Sequence, residues 1–142
     1  MKKLILLVLV CAFNLSCSNE DSNNSFSENN LIGKWYLSGN SIDGGAFQPY
    51  IHNCETSRDY QEFLSNHELT FNKYSEACIL GNPEVSNWEL IGNKLIVSNT
   101  NFDPMIYNYK YEIISLTDTE LIIEMSAESP DGMYVVRTFL ER

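Results

Sequence analysis

The side chains with the greatest catalytic potential are spread thinly along this sequence. His52 and His67 stand 15 residues apart, and neither has an obvious nucleophile beside it. The sequence contains no Gly-x-Ser-x-Gly nucleophile elbow, no His-Glu-x-x-His zinc motif and no phosphate-binding loop. We interpret both histidines as surface loop residues. We therefore expect a protein that is not an enzyme and that has no cofactor.

Tyrosines are the enriched feature that could bind a ligand. Tyr107, Tyr109 and Tyr111 fall on one face of a predicted strand, and Tyr134 lies on a later one. Aromatic rings with a polar tip suit small amphipathic ligands or partner surfaces. These four residues are the candidate ligand-lining positions, with ordinary packing of the tyrosines as the alternative.

Length and charge narrow the class of protein. A chain of 142 residues is long enough for one domain. Its 19 acidic and 9 basic residues give a net charge of −10. An acidic surface argues against nucleic acid or anionic lipid as a partner.

The N-terminus has the pattern of an export signal. Lys2 and Lys3 precede an apolar run at residues 4–13, which is shorter than the roughly 20 residues needed to span a bilayer. Residues 14–17, Asn-Leu-Ser-Cys, resemble the lipobox of bacterial lipoproteins, in which the cysteine becomes diacylated. The resemblance implies a signal peptide at residues 1–16 and a lipid, such as palmitate, on Cys17. The alternatives are an ordinary signal peptide with an incidental thiol, or lipidation of Cys11, which bulky Val10 precedes.

A polar segment separates this cysteine from the rest of the chain. Residues 18–30 are mostly Ser, Asn, Asp and Glu, so we expect residues 17–30 to form a disordered acidic tether to a membrane. Residues 18–21 are similar to export signals of surface lipoproteins. Removal of the predicted signal peptide takes away Lys2 and Lys3. The remaining chain has seven basic and 19 acidic residues, a net charge of −12. The predicted location is the cell envelope, at the outer membrane, on its periplasmic or its surface side.

Two cysteines remain once Cys11 is removed and Cys17 is lipidated. Cys54 and Cys78 are then one pair in an oxidising compartment, and we expect a disulfide. Closing this loop of 25 residues contributes on the order of 3 kcal/mol. The alternative is a metal site that adds His52 and His67, but no metal-binding spacing supports it.

Hydrophobic periodicity indicates that residues 31–142 form one all-β domain. Residues 107–115 and 120–128 alternate apolar and polar side chains, and a Ser-Pro-Asp-Gly turn leads into residues 133–141. Five earlier strands are predicted at residues 31–38, 60–64, 67–74, 86–90 and 95–98. Short loops between sequence neighbours favour an eight-stranded antiparallel up-and-down barrel. A β-sandwich is the alternative, although it needs long crossing connections.

Several segments resemble the lipocalins and the lipocalin-like lipoproteins of bacteria. The first strand begins with Gly33-Lys34-Trp35, the Gly-x-Trp of that family, and residues 88–97 and 113–121 are similar to hairpins of the bacterial members. The resemblance implies a lipocalin-like barrel in which Gly33 and Trp35 are structural. It also implies a basic residue from the last strand across the tryptophan, for which Arg137 is the candidate.

Two functions follow from these expectations. In the first, a membrane-anchored barrel binds a small hydrophobic ligand. In the second, the barrel is filled, and its outer face binds another envelope protein or a polymer. An internal cavity above about 300 Å³ favours the first, and a packed interior with an exposed aromatic patch favours the second.

Overall fold

Strands account for most of residues 26–99 and 107–142, which are the parts of the chain that the computed structural model describes. One short helix, α1, lies within these described residues at Glu28–Leu31. The strands are β1 (Gly33–Ile42), β2 (Gln48–Pro49), β3 (Tyr60–Phe63), β4 (Glu68–Asn72), β5 (Glu84–Ile91), β6 (Lys94–Asn99), β7 (Tyr107–Leu116), β8 (Glu120–Ser129) and β9 (Gly132–Glu141). The predicted signal segment, Cys17 and residues 18–25 of the predicted tether lie outside the described residues.

Eight of these strands close into a barrel. The order β1-β3-β4-β5-β6-β7-β8-β9 is antiparallel throughout, and β9 returns to pair with β1. The two-residue strand β2 adds to β1 at Gly39 and Asn40 without entering the ring. The predicted eight-stranded up-and-down barrel is confirmed. The β-sandwich alternative is wrong, because the β9–β1 pairing leaves one continuous sheet.

The first strand runs further than predicted, to Ile42 instead of residue 38. Its register shifts between Leu37 and Gly39, and this bulge interrupts the alternation that sequence reading relies on. A Cβ on Gly39 would lie 2.5 Å from the Phe47 ring and closer still to the carbonyl oxygen of Gln48. The missing side chain therefore lets β2 and its preceding loop lie directly against β1.

The apolar core fills the end of the barrel at which β1 begins. The largest fully buried apolar side chains there are those of Trp35, Phe63, Leu31, Leu95, Leu121 and Leu140. Leu31 ends α1, and Phe26 packs against the same core. The chain from Phe26 to α1 therefore packs against the domain, on the N-terminal side of its predicted start at residue 31. Composition alone does not show that Phe26, within the polar segment, contacts this core. None of the helices in the described residues has the length and apolar character needed to cross a membrane.

Trp35 anchors this closed end. It is 0% exposed, and its indole N–H donates a hydrogen bond of 2.7 Å to the carbonyl oxygen of Leu31. The guanidinium carbon of Arg142 lies 4.0 Å from the centre of the indole ring. Arg142 Nη2 also donates to the carbonyl oxygens of Asn30 and Ile32, at 2.9 and 2.7 Å. One arginine thus stacks on the tryptophan and satisfies the carbonyls where α1 ends.

The prediction that Arg137 covers Trp35 is wrong. Arg137 lies three residues before Leu140 on β9, and Leu140 is buried inside the barrel. Because successive side chains of a strand point to opposite faces, Arg137 points outward. Its Nε and Nη2 donate to Glu124 Oε2 on the outer wall, at 3.0 and 2.7 Å. Arg142 lies just beyond the end of β9, where its side chain is free to turn under the barrel.

We expect Arg142→Ala to lower the free energy of unfolding by about 2 kcal/mol, because it removes the stacking and two charge-assisted hydrogen bonds. Arg137→Ala is the matched control and removes a partly buried pair on the outer wall, so we expect a loss of about 1 kcal/mol. Urea denaturation followed by tryptophan fluorescence measures both. Equal losses in the two variants would contradict the assignment of Arg142.

Candidate functional site

A cavity of about 200 Å³ lies inside the barrel above the filled core. Its wall comes from residues spaced two apart on neighbouring strands, as expected where alternate side chains face inward. The lining residues are Gln61, Phe63, Leu69, Phe71, Glu84, Ser86, Leu95, Val97, Tyr109, Tyr111 and Ile123. Strands β3 to β7 supply nearly all of them, and β8 supplies one.

The floor of this cavity is apolar and its mouth is polar. Phe63, Leu95 and Ile123 are buried at the floor. At the mouth, Lys73 Nζ lies 3.4 Å from Glu84 Oε1 and 4.4 Å from the centre of the Phe71 ring. This gradient suits a ligand with an apolar body and a polar end.

Two of the predicted tyrosines meet in the cavity wall. The rings of Tyr109 and Tyr111 are 6.5 Å apart, and Tyr109 is 43% exposed at the mouth. Burial raises the pKa of Tyr111, and the neighbouring Tyr109 raises it further. Tyr111 therefore stays a neutral phenol that can donate or accept a hydrogen bond.

Of the other two predicted tyrosines, Tyr134 is the one whose side chain the structure describes. The side chain of Tyr107 lies outside the described residues, although its backbone belongs to β7. Tyr134 lies opposite Ala127 and shares its side of β9 with Leu140, but it does not line the cavity. Alternation tells which way a side chain points but not which part of the interior stays unfilled. Phe71 and Val97 were missed as lining residues for this reason.

The predicted disulfide between Cys54 and Cys78 is confirmed, with Cα atoms 4.9 Å apart. It ties the loop before β3 to the loop between β4 and β5. The alternative metal site is wrong, because its two sulfurs are bonded to each other. His67 also lies in the β3–β4 turn, where its ring packs against Trp88 instead of approaching His52. Within residues 26–99 and 107–142, no group of three or more His, Cys, Asp or Glu side chains could hold a metal ion.

A buried carboxylate holds the same two loops together. Asp59 is 1% exposed, and its Oδ1 accepts the backbone N–H of Tyr74 at 2.7 Å. Its Oδ2 accepts the hydroxyl of Tyr50 at 2.9 Å. The backbone N–H of Asp59 donates to His52 Nδ1 at 3.0 Å, which leaves the ring proton on Nε2. Asp59 was not among the predicted site residues, because no pattern in the neighbouring sequence distinguishes a buried carboxylate from an exposed one.

His52 and Asp59 are the described histidine and carboxylate that come closest to a catalytic pair. His52 Nδ1 lies 4.0 Å from Asp59 Oδ2. Neither residue lines the barrel cavity. The pair therefore cannot act on a ligand bound in the cavity, and its contacts are those of a loop clamp.

The pKa of Tyr50 gives this clamp a measurable signature. Burial, the hydrogen bond to Asp59 and the negative charge of Asp59 together raise that pKa from 10.0 to about 12. The folded protein then keeps a proton that the unfolded chain releases, so stability falls as pH rises from about 10 to about 12.

We expect Tyr50→Phe to remove this part of the alkaline loss of stability, because phenylalanine has no proton to release. Urea midpoints of both proteins across the alkaline range measure the effect. Tyr134→Phe, on β9 and away from the contact between Tyr50 and Asp59, is the control and should keep the wild-type slope. An unchanged slope in Tyr50→Phe would refute the coupling between Tyr50 and Asp59.

Residues 31–123 match a family model described as a lipocalin-like domain. No curated protein matches the sequence.

Solved structures share the fold at low sequence identity. A lipocalin-like protein from Bacteroides uniformis is 13% identical with a TM-score of 0.56, over 80% of this chain and 98% of that one. An uncharacterized protein from Bacteroides eggerthii is 10% identical with a TM-score of 0.56, over 78% and 98%. Lobster apocrustacyanin A1 is 12% identical with a TM-score of 0.50, over 82% and 62%. At these identities the likeness concerns the fold alone.

Proposed function

The chain belongs to the lipocalin-like domain family, and we propose that its barrel binds one small amphipathic ligand at the cell envelope. The observation that carries this proposal is the internal cavity, with its apolar floor and its polar mouth. A fully packed barrel would have left no such space.

The volume of the cavity limits the size of the ligand. At about 200 Å³, it falls below the roughly 300 Å³ that the sequence analysis set as favouring a small-molecule ligand, so a drug-sized molecule does not fit. An apolar cavity of about 150 Å³ is enough to hold benzene. The space therefore suits one ring with a short polar substituent, or the end of a longer chain that protrudes past Tyr109.

Polar groups along the wall orient such a ligand. Gln61, Ser86 and the phenol of Tyr111 line the cavity beside apolar side chains such as those of Leu69 and Val97. A hydroxyl or carbonyl on the ligand would pair with them, whereas a pure hydrocarbon would leave them without a partner. The Lys73–Glu84 pair at the mouth then faces the exposed end of the ligand.

We expect benzyl alcohol, used as a probe, to bind the wild-type protein and not a Val97→Phe variant. Val97 lines the cavity, and the larger ring would occupy the space. Ile114→Phe is the matched control, since Ile114 is an exposed residue outside that wall, and it should bind as the wild type does. Ligand-observed NMR measures binding, and native mass spectrometry of the purified protein tests for a retained small molecule.

Binding to Val97→Phe as strong as to the wild type would place the probe outside the cavity. The ligand proposal would be overturned if the wild-type protein neither binds benzyl alcohol nor retains a small molecule. Circular dichroism of both variants separates loss of binding from loss of fold.

A second candidate function is docking of another envelope protein. Ile51 and Ile79 are 86% and 68% exposed, on the two loops that the disulfide joins. Exposed aliphatic residues held on one side of a domain are typical of interaction surfaces. This candidate is favoured if the wild-type barrel proves empty and binds no probe.

Anchoring at a membrane through a lipid on Cys17 is part of the proposal. It is supported by the resemblance of residues 14–17 to a lipobox and by the end of the barrel at which Phe26 packs. Phe26 and α1 pack at the closed end of the barrel, away from the cavity mouth. A tether attached there leaves the mouth accessible from the envelope space.

We expect Cys17→Ser to move the full-length protein from the membrane fraction to the soluble fraction and to abolish incorporation of labelled palmitate, because the acceptor thiol is gone. Cys11→Ser is the control and should behave as the wild type does. Fractionation of a Gram-negative host that expresses each chain provides the measurement. Unchanged labelling of Cys17→Ser would refute the assigned lipidation site.

A further inference from the structure

A second cavity lies on the outer wall of the barrel, over β1 and β3. It measures about 330 Å³ and is lined by Lys34, Tyr36, Thr56, Ser57, Arg58, Tyr60 and Tyr74. None of these residues lines the internal cavity. The volume falls within the range of small-molecule sites. We call this cavity the outer groove.

The outer groove is positive on an acidic protein. The chain carries a net charge of −10, yet both charged residues that line the groove are cations, Lys34 and Arg58. The internal cavity includes Glu84. Among the described residues, two further surface cavities also mix both signs, with carboxylates such as Glu120 and Glu124 in their walls. The lining of the outer groove therefore offers cationic hydrogen-bond donors to an anion.

Cations and rings alternate along this groove. Lys34 Nζ lies 4.6 Å from the centre of the Tyr60 ring, and Arg58 Cζ lies 4.9 Å from that of Tyr36. The two rings are 5.9 Å apart and tilted by 60°. Tyr60 raises the pKa of Lys34, and Glu62 raises it further, so the ammonium remains charged.

Glu141, beside Arg58, and Glu62, near Lys34, are acidic neighbours that a ligand would have to compete with. Arg58 Nη2 lies 2.6 Å from Glu141 Oε1, and the two side chains are 42% and 48% exposed. A pair this exposed stabilises little, so exchanging it for a ligand carboxylate costs little. The guanidinium also has further N–H donors that this contact does not use.

The walls of the outer groove are held in place before any ligand arrives. The Thr56 hydroxyl lies 3.4 Å from Cys54 Sγ and 3.6 Å from Cys78 Sγ, so the disulfide braces this loop. Asp59 fixes the facing wall through the backbone N–H of Tyr74. A preformed site loses less conformational entropy when it binds.

We propose that the outer groove binds an anionic sugar. Arg58 and Lys34 supply the charged donors that a carboxylate requires. The tyrosine rings offer flat apolar surface for a sugar face, and their phenols, with Thr56 and Ser57, offer partners for its hydroxyls. An inorganic anion would leave the rings unused, and an aromatic acid would leave the hydroxyls without partners.

Isothermal titration calorimetry of the purified full-length protein tests this assignment with glucuronate, glucose and benzoate as probes. We expect glucuronate to bind and glucose and benzoate to bind at least about tenfold more weakly, because each lacks half of the recognised chemistry. Lys34→Gln and Arg58→Gln should each weaken glucuronate binding about tenfold. Lys110→Gln, which removes the same charge elsewhere, should leave it unchanged.

Each other result overturns the proposal. Equal binding of glucose would show that charge has no role, and equal binding of benzoate would show that the sugar hydroxyls have none. A loss in Lys110→Gln as large as in Lys34→Gln would show a diffuse electrostatic effect. Absence of glucuronate binding would exclude the site. Val97→Phe, which fills the barrel cavity, should bind glucuronate as the wild type does, so failure of this proposal and failure of the barrel ligand are distinguishable.

Discussion

Pairing of β9 with β1 is the constraint on which the rest of the structure depends. Six residue pairs, from Tyr36–Glu141 to Ile42–Val136, join the two ends of the domain. Closure gives each ring strand a partner on both sides and removes the exposed edges of an open sheet. It also divides every strand into an inner and an outer face, and it carries Arg142 beneath Trp35. The core, the cavity and the outer groove all follow from that division.

The interior is unequally filled along its axis. At the closed end, Trp35, Phe63 and Leu140 occupy the space completely, with Leu31 of α1 as the plug. Further along, the inward positions of β5 and β7 hold Ser86, Glu84 and tyrosines, whose shapes and polarity prevent close packing. The cavity is thus a consequence of which residues alternate inward. The cavity is small because the buried core side chains fill much of the length of the barrel.

The long loops gain order from two cross-links of different chemistry. The Cys54–Cys78 bond joins them covalently, and the Asp59 carboxylate joins Tyr50 to the backbone of Tyr74. A buried carboxylate is tolerated here because both of its oxygens accept hydrogen bonds. In the second of these loops, Lys73 lies at the mouth of the internal cavity and Tyr74 lines the outer groove. The loop clamp therefore supports both candidate sites.

The sequence by itself determined the barrel and most of its strands, because alternation and turn residues act locally. It also indicated the Cys54–Cys78 pair, because Cys11 and Cys17 were assigned to the predicted signal peptide and lipid anchor. Tertiary structure decided the rest. Arg142, not Arg137, covers Trp35, since strand parity turns Arg137 outward. Asp59 is buried only because three distant backbone and side-chain groups converge on it. Both cavities likewise depend on how side chains from separate strands fill space, which no local pattern encodes.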